Sequence, residues 1–388
     1  MGYFARVKNS IAGFLFGLVL FLLAIPFLAW NENNVYKVRM GLKEGAEKVQ
    51  SVSSQPDRQN DGRLVHIHGR VETSSGVEDP VFDLSFDALR LSRKVEMYQW
   101  DEDKRTKDGK TRYSYDREWS ERHIDSSRFH ESGHDNPPPP PYSSEDYVVR
   151  DARLGGFGIT QSQIREAGGL APVADAPVPL QLRSAGWSAF GNVWFKGRGR
   201  LEDPQIGDVR VTFNALGEAD LSLAGKQQGD QLQAWTSSRD TEVMLVELGD
   251  LPAKELFERA QSRNTLLGWA LRAAGFAAMW IGLSLCFNPL AAVLSFIPGV
   301  GGLVSMIGRW ITFIIAALFA LTTVVVSWVA VRPMMLMLVI AGVVVIALII
   351  GRLRGDRAPG GPPAAPPPSP PPPPPGFASA PPPPPPAG

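Results

Sequence analysis

A single cysteine, Cys286, stands in the chain of 388 residues, which excludes an intrachain disulfide framework, a Cys-rich zinc site and a CxxC redox pair. Acidic residues are nearly missing outside positions 31–265. That span holds 31 Lys/Arg against 38 Asp/Glu, while the remainder holds eight basic residues and one acidic one. The zero net charge therefore divides into −7 and +7. No basic patch interleaved with aromatics occurs in the polar part, so nucleic acid is excluded as a partner. Several long runs lack charge of either sign, which excludes a plain soluble enzyme.

The first such run, Asn9 to Asn31, covers 23 residues, and its apolar stretch Ile11–Trp30 matches the ~20 residues that cross a bilayer. It is too long for the ~7–15 apolar residues of a signal peptide. Phe27-Leu28-Ala29 also puts a bulky residue where cleavage wants a small one, so a retained anchor is expected. Three more spans are expected at 266–287, 310–331 and 333–351. Arg272 lies within the first of these, near enough to its end for the long stem to snorkel. The intervening 288–309 contains Pro289, Pro298 and several glycines, whose freed backbone groups lipid cannot satisfy, so it is expected to be interfacial or re-entrant.

With four spans, Arg6, Lys8, Arg309, Arg352, Arg354 and Arg357 fall on one side, as the excess of Lys/Arg in cytoplasmic loops requires. The expected organisation is a cytoplasmic N-terminus, 1–10, an anchor, 11–30, and a periplasmic or luminal domain, 31–265, followed by the three further spans. The fold class is an α+β membrane protein with a mainly-β extramembrane domain large enough to be stable without disulfides. Alternation marks strands at Leu64–Val71, Tyr113–Trp119 and Val209–Phe213. In the first, Val65, Ile67 and Val71 share one face and Leu64, His66, His68 and Arg70 the other, with the two histidines expected to face solvent. A helix is expected over Pro252–Arg263, capped by Asp250, with Glu255–Arg259 as a favourable pair.

Gly69-Arg70…Glu78-Asp79-Pro80…Gln99-Trp100 and Gly199-Arg200…Glu202-Asp203-Pro204…Gln233-Ala234-Trp235 share an order of features. A duplicated β unit with halves 31–141 and 142–265 accounts for this, as does coincidence among common turn residues. Beyond Asp356 the chain is low-complexity, with 18 of its 34 prolines at 359–386. A tail of that composition, 356–388, forms no packed core; it is either a flexible terminus or a polyproline ligand for SH3, WW or profilin-type grooves.

His130-Glu131-Ser132-Gly133-His134 has the HExxH spacing that places two zinc ligands and a base on one helix face. Gly133 and the Pro137–Pro141 run oppose a helix there. His66 and His68 supply at most half a metal site, and no glycine loop carries a phosphate-binding pattern. No catalytic, cofactor-binding or metal-ligating residue is therefore assigned.

Asn31-Glu32, Val95-Glu96-Met97-Tyr98-Gln99-Trp100, Tyr113-Ser114-Tyr115…Glu118-Trp119, Gly133-His134…Asn136-Pro137, Gly207–Phe213, Gln228–Leu232, Leu271-Arg272-Ala273-Ala274-Gly275 and Trp328…Arg332-Pro333 resemble the family of transmembrane protein 43, also called LUMA. The resemblance runs from about Asn31 to Gly351. It implies four spans with a large luminal domain between the first two, self-association, and no assigned catalytic residues. For a eukaryotic member it further implies endoplasmic reticulum and inner nuclear membrane, with lamina-type proteins as partners; for a bacterial one, an inner membrane with a periplasmic domain. The Pro137–Pro141 run and the tail depart from the family pattern. Two readings of function follow: a membrane scaffold that organises complexes by binding and homo-oligomerising, and a membrane-anchored zinc hydrolase using His130, Glu131 and His134.

Overall fold

In the computed structural model the described residues are 3–107, 110–174, 176–294, 301–330 and 332–355. Six helices occur among them: α1 (Tyr3–Lys48), α2 (Gln161–Ala167), α3 (Leu180–Ser184), α4 (Ala253–Leu294), α5 (Gly301–Ala330) and α6 (Pro333–Gly355). Three are long and apolar enough to cross a membrane, within Ile11–Lys48, Ala253–Phe287 and Gly308–Ala330. The last helix, α6, forms a unit by itself, opened by Pro333 and containing the shorter apolar stretch Leu336–Ile350.

The anchor is longer than its apolar run. A helix of 46 residues extends roughly 69 Å, about twice the hydrocarbon thickness, so α1 continues from Ile11–Trp30 into the polar Asn31–Lys48 without a break. Likewise α4 begins in the polar segment after Pro252 and runs on into its apolar part, and Arg259 and Glu255 meet at 2.6 Å as their spacing expects. Asp250 does not cap this helix; it pairs with His68. Further on, α4 passes Asn288-Pro289 and ends at Leu294, and α5 starts at Gly301; residues 295–300 of the expected re-entrant segment lie outside the described residues, as does the tail 356–388.

The helices α1 and α4 are antiparallel and hold one register along their length. Gly17 faces Gly282, Leu28 faces Gly275, and Val35 faces Gly268. A Cβ on Gly282 would stand 2.6 Å from the Gly17 carbonyl and 2.8 Å from the Phe21 nitrogen, so only glycine permits this approach. Ser284 bonds Thr312 of α5 at 3.1 Å. Gly275, Gly282 and Ser284 thus pack α4 against α1 and α5 within one chain.

Two seven-stranded sheets make up most of the domain, beside two small two-stranded ones. In one, Leu64–Glu72 pairs with Arg153–Leu154, which turns into Phe157–Gly158; that meets Gln231–Gln233, which pairs with Ala219–Gln228, which returns to Leu64–Glu72. The ring closes, forming a small barrel whose short strands leave few free edges. The second sheet has the order Ser188–Phe190, Val193–Lys196, Val209–Leu216, Arg90–Lys107, Lys110–Ser120, with Ala171–Pro172 also pairing with Val209–Leu216 and Glu145–Val148 with Arg90–Lys107. Both sheets join residues from before and after the Pro137–Pro141 run, so the expected halves 31–141 and 142–265 are interleaved in a single core. The matching Gly-Arg pairs also sit in different settings, Gly69-Arg70 within a strand and Gly199-Arg200 in a loop.

That core centres on Phe82, which meets Trp187, Trp194 and Phe213 edge to face. Arg93 is buried against Phe82 and pairs with the buried Asp79, whose Oδ1 also accepts from the Val81 and Phe82 amides. A second cluster, including Leu42, Leu64, Val243 and Phe257, packs the polar halves of α1 and α4 against the barrel.

Candidate functional site

The residues of the HExxH pattern lie in a loop, as the glycine and prolines require. They dock on the Arg90–Lys107/Lys110–Ser120 hairpin. The ring of His134 stacks on Tyr115 at 3.8 Å and meets Trp100 edge-on, and His130 stacks on Tyr113 at 4.1 Å. Tyr115 donates to Glu102 at 2.6 Å and accepts from the Glu131 amide. Asn136 closes the loop, accepting from the Trp100 amide at 2.7 Å and donating to its carbonyl at 2.9 Å. The two imidazoles are separately committed to tyrosine faces, and no cluster among the described residues has the makings of a metal site. The zinc-hydrolase reading therefore has no support here.

His66 corrects an expectation. Its strand alternates, but the outer face is covered by other elements, Leu64 packing in the cluster around Phe257 and His66 lying beside Ser51 of the adjoining strand Gln50–Ser51, so His66 is buried instead of solvent-facing. Ser51 Oγ meets its Nδ1 at 3.1 Å, and His68 stacks beside it. Burial, followed by the nearby charge of His68, lowers the imidazole below its ordinary value.

The most organised polar arrangement near the membrane joins α1 to α4. Arg272 Nε and Nη2 donate to the two oxygens of Glu32 at 2.6 and 2.8 Å, a parallel, bidentate pair. The Glu32 side chain is 2% exposed and that of Arg272 21%. The guanidinium lies over the Trp269 ring, 4.8 Å from its centre. Around the pair, Asn31 donates to the Gly268 carbonyl at 3.3 Å and Asn264 to the Val35 carbonyl at 3.0 Å. The apolar run thus ends in polar cross-links between two helices, where unpaired backbone and charge are most costly.

Beside the pair opens a groove of about 650 Å³, lined by Leu28, Trp269, Phe276, Ala320, Leu321 and Trp328 with the ion pair among its walls. It suits hydrocarbon and offers no nucleophile or general base, because each charge already holds the other. Arg272 does not snorkel freely as its position suggests. The signal in the sequence is that Glu32 is the first acid after one apolar run and Arg272 the only charge within the next.

Among curated proteins, the chain is 31% identical to transmembrane protein 43 of Homo sapiens over 379 residues, covering 91% of this chain and 92% of that protein. It is 32% identical to the Mus musculus protein of that name over 359 residues, 86% and 88% of the two chains. With the Drosophila melanogaster homolog it shares 26% over 337 residues, 82% and 89%. The family model described as transmembrane protein 43 matches residues 97–333. No solved structure matches.

Proposed function

This chain belongs to the transmembrane protein 43 family, and we propose that it acts as a non-enzymatic multi-pass scaffold, organising membrane protein complexes through its β domain and through self-association. What supports this best is the Glu32–Arg272 clamp on helices that carry the domain without a hinge, so that anything the domain binds is held at a set place relative to the bilayer. The charges favour four spans, including 333–351, cytoplasmic termini and a domain in the periplasm or an endomembrane lumen. In a eukaryote this means endoplasmic reticulum and inner nuclear membrane with lamina-type partners, in a bacterium the inner membrane. The segment 288–309 stays at or re-enters the cytoplasmic face, and the tail 356–388 offers polyproline to SH3, WW or profilin-type grooves.

Affinity capture of the intact protein from mild detergent, with partners identified by mass spectrometry, tests the reading alongside reporter fusions. Stable membrane-protein partners, a far-side signal at Gly191 and a cytoplasmic one after Arg357 are expected. Capture of the protein alone, together with turnover of a hydrolase substrate by the purified chain, would overturn it.

A further inference from the structure

The Lys110–Ser120 strand ends its sheet: among the described residues its only strand neighbour is Arg90–Lys107. The loop that follows crosses the face bearing Trp100, Tyr113 and Tyr115 and closes on the far side of the hairpin, where Asn136 takes up the Trp100 backbone. On that side the Trp100 backbone is taken up by Asn136, and along Lys110–Arg117 no backbone partner other than the Arg90–Lys107 strand is found among the described residues.

The open face has an unusual charge order. Asp101 stands opposite Asp116 and Arg105 opposite Arg112, with Asp103 opposite Ser114 between them. Like charges directly opposite are unfavourable in an isolated hairpin. Asp103 relieves one of them through Arg105 at 2.7 Å, and the Asp101/Asp116 rung has no such relief among the ion pairs described. Along the strand itself, Lys110, Arg112, Ser114, Asp116 and Glu118 are all exposed and alternate onto this one face. The order is basic, basic, neutral, acidic, acidic, which becomes its own complement when reversed.

We propose that this edge pairs antiparallel with the same strand of a second copy, centred on Ser114, so that Lys110 meets Glu118 and Arg112 meets Asp116 of the other chain. Charged edge strands ordinarily repel strand addition. Here the charges repel a parallel copy and attract an antiparallel one, and main-chain hydrogen bonds supply the rest of the affinity. Across the four strands the acidic rung Asp101/Asp116 then lies beside the basic rung Arg112/Arg105, turning the two unfavourable pairs of each hairpin into a row of alternating blocks. A two-fold axis gives the second row by symmetry. The proposal rests on the self-association in the function proposed above and names its surface.

The test uses the full chain in native membranes, in a Cys286→Ala background. Ser114→Cys should give disulfide-linked dimers, and Thr111→Cys, which the register sets opposite Arg117, should give few. Arg112→Glu or Asp116→Arg should each lower the Ser114→Cys dimer about tenfold, since two symmetric rungs change from attraction to repulsion. The double reversal should restore it. Each single reversal also sets opposite charges across from Arg105 or Asp101 within the hairpin, so loss of folding is not the cause of a lost dimer. Equal crosslinking at 111 and 114, indifference to the single reversals, or failure of the double to restore would overturn the proposal. An amine crosslinker applied in parallel separates the two levels: oligomers that survive such a result leave the scaffold reading standing on another surface, and monomers alone remove its self-association as well.

Discussion

Glu32 and Arg272 hold each other through two parallel hydrogen bonds at the point where the apolar runs of α1 and α4 give way to polar stalk. Such a pair fixes the two helices along their axis and in rotation, because a bidentate fork tolerates little sliding. Breaking a buried pair by removing one partner strands the other charge in a poorly hydrated place. Arg272→Ala or Glu32→Ala should cost about 3 kcal/mol, the lower end of the range because Arg272 keeps some exposure. Glu32→Leu combined with Arg272→Met should recover most of the loss, read as thermal stability in mild detergent.

Glycine in the α1–α4 seam is tested by adding a Cβ. Gly282→Ala should splay the helices, since the new atom meets the backbone of Gly17 and Phe21, whereas Gly13→Ala meets nothing within 4 Å and should be neutral. Distances between spin labels on the two helices report the splaying directly, and a change in both variants alike would contradict the seam.

His66 gives the protein an acid-sensitive joint. Its folded value lies below the ordinary 6.5, so the folded protein refuses a proton that the unfolded chain accepts. Stability is unaffected well above 6.5, falls as pH drops below 6.5, and levels off once pH is below the folded value. His66→Gln should therefore flatten the difference in melting temperature between about pH 7.5 and 5.5, whatever it does to stability at the higher pH. An unchanged difference would assign the acid sensitivity to other groups.

The HExxH-like loop should neither bind nor need zinc. Metal analysis of the purified protein should find less than stoichiometric zinc, unchanged by His130→Ala. His134→Ala removes a ring packed against Tyr115 and Trp100 and should cost about 1 kcal/mol of local stability, seen as faster amide exchange at Asn136 and Trp100.

The membrane helices were legible in the sequence because lipid imposes length and lack of charge on contiguous residues. The barrel was not. Its ring is closed by pieces as short as Arg153–Leu154 and Phe157–Gly158, too brief to show a period, and the strands they connect lie far apart in the chain. Alternation located the strand holding His66 but not the elements that cover its outer face, since burial by another element leaves no mark on the strand's own pattern. Asp79 was readable only as a turn former beside Pro80; its bond to Arg93 depends on tertiary placement. In the site, Arg272 was visible as a lone charge, while its partner required knowing that α1 and α4 run antiparallel in one register.

That register has a consequence for how the protein is made. Synthesis delivers α1 first, and Arg272 follows Glu32 by 240 residues. At about 5–20 residues per second, roughly 12–50 s pass before the second helix exists. Throughout that interval Gly17, Phe21 and Glu32 have no α4 to pack against, and the barrel strand that begins at Leu64 waits for Ala219–Gln228. Until α4 arrives, the Glu32 carboxylate at the end of the first apolar run has no guanidinium to hold it, and the glycine face of α1 that Gly282 will meet is uncovered.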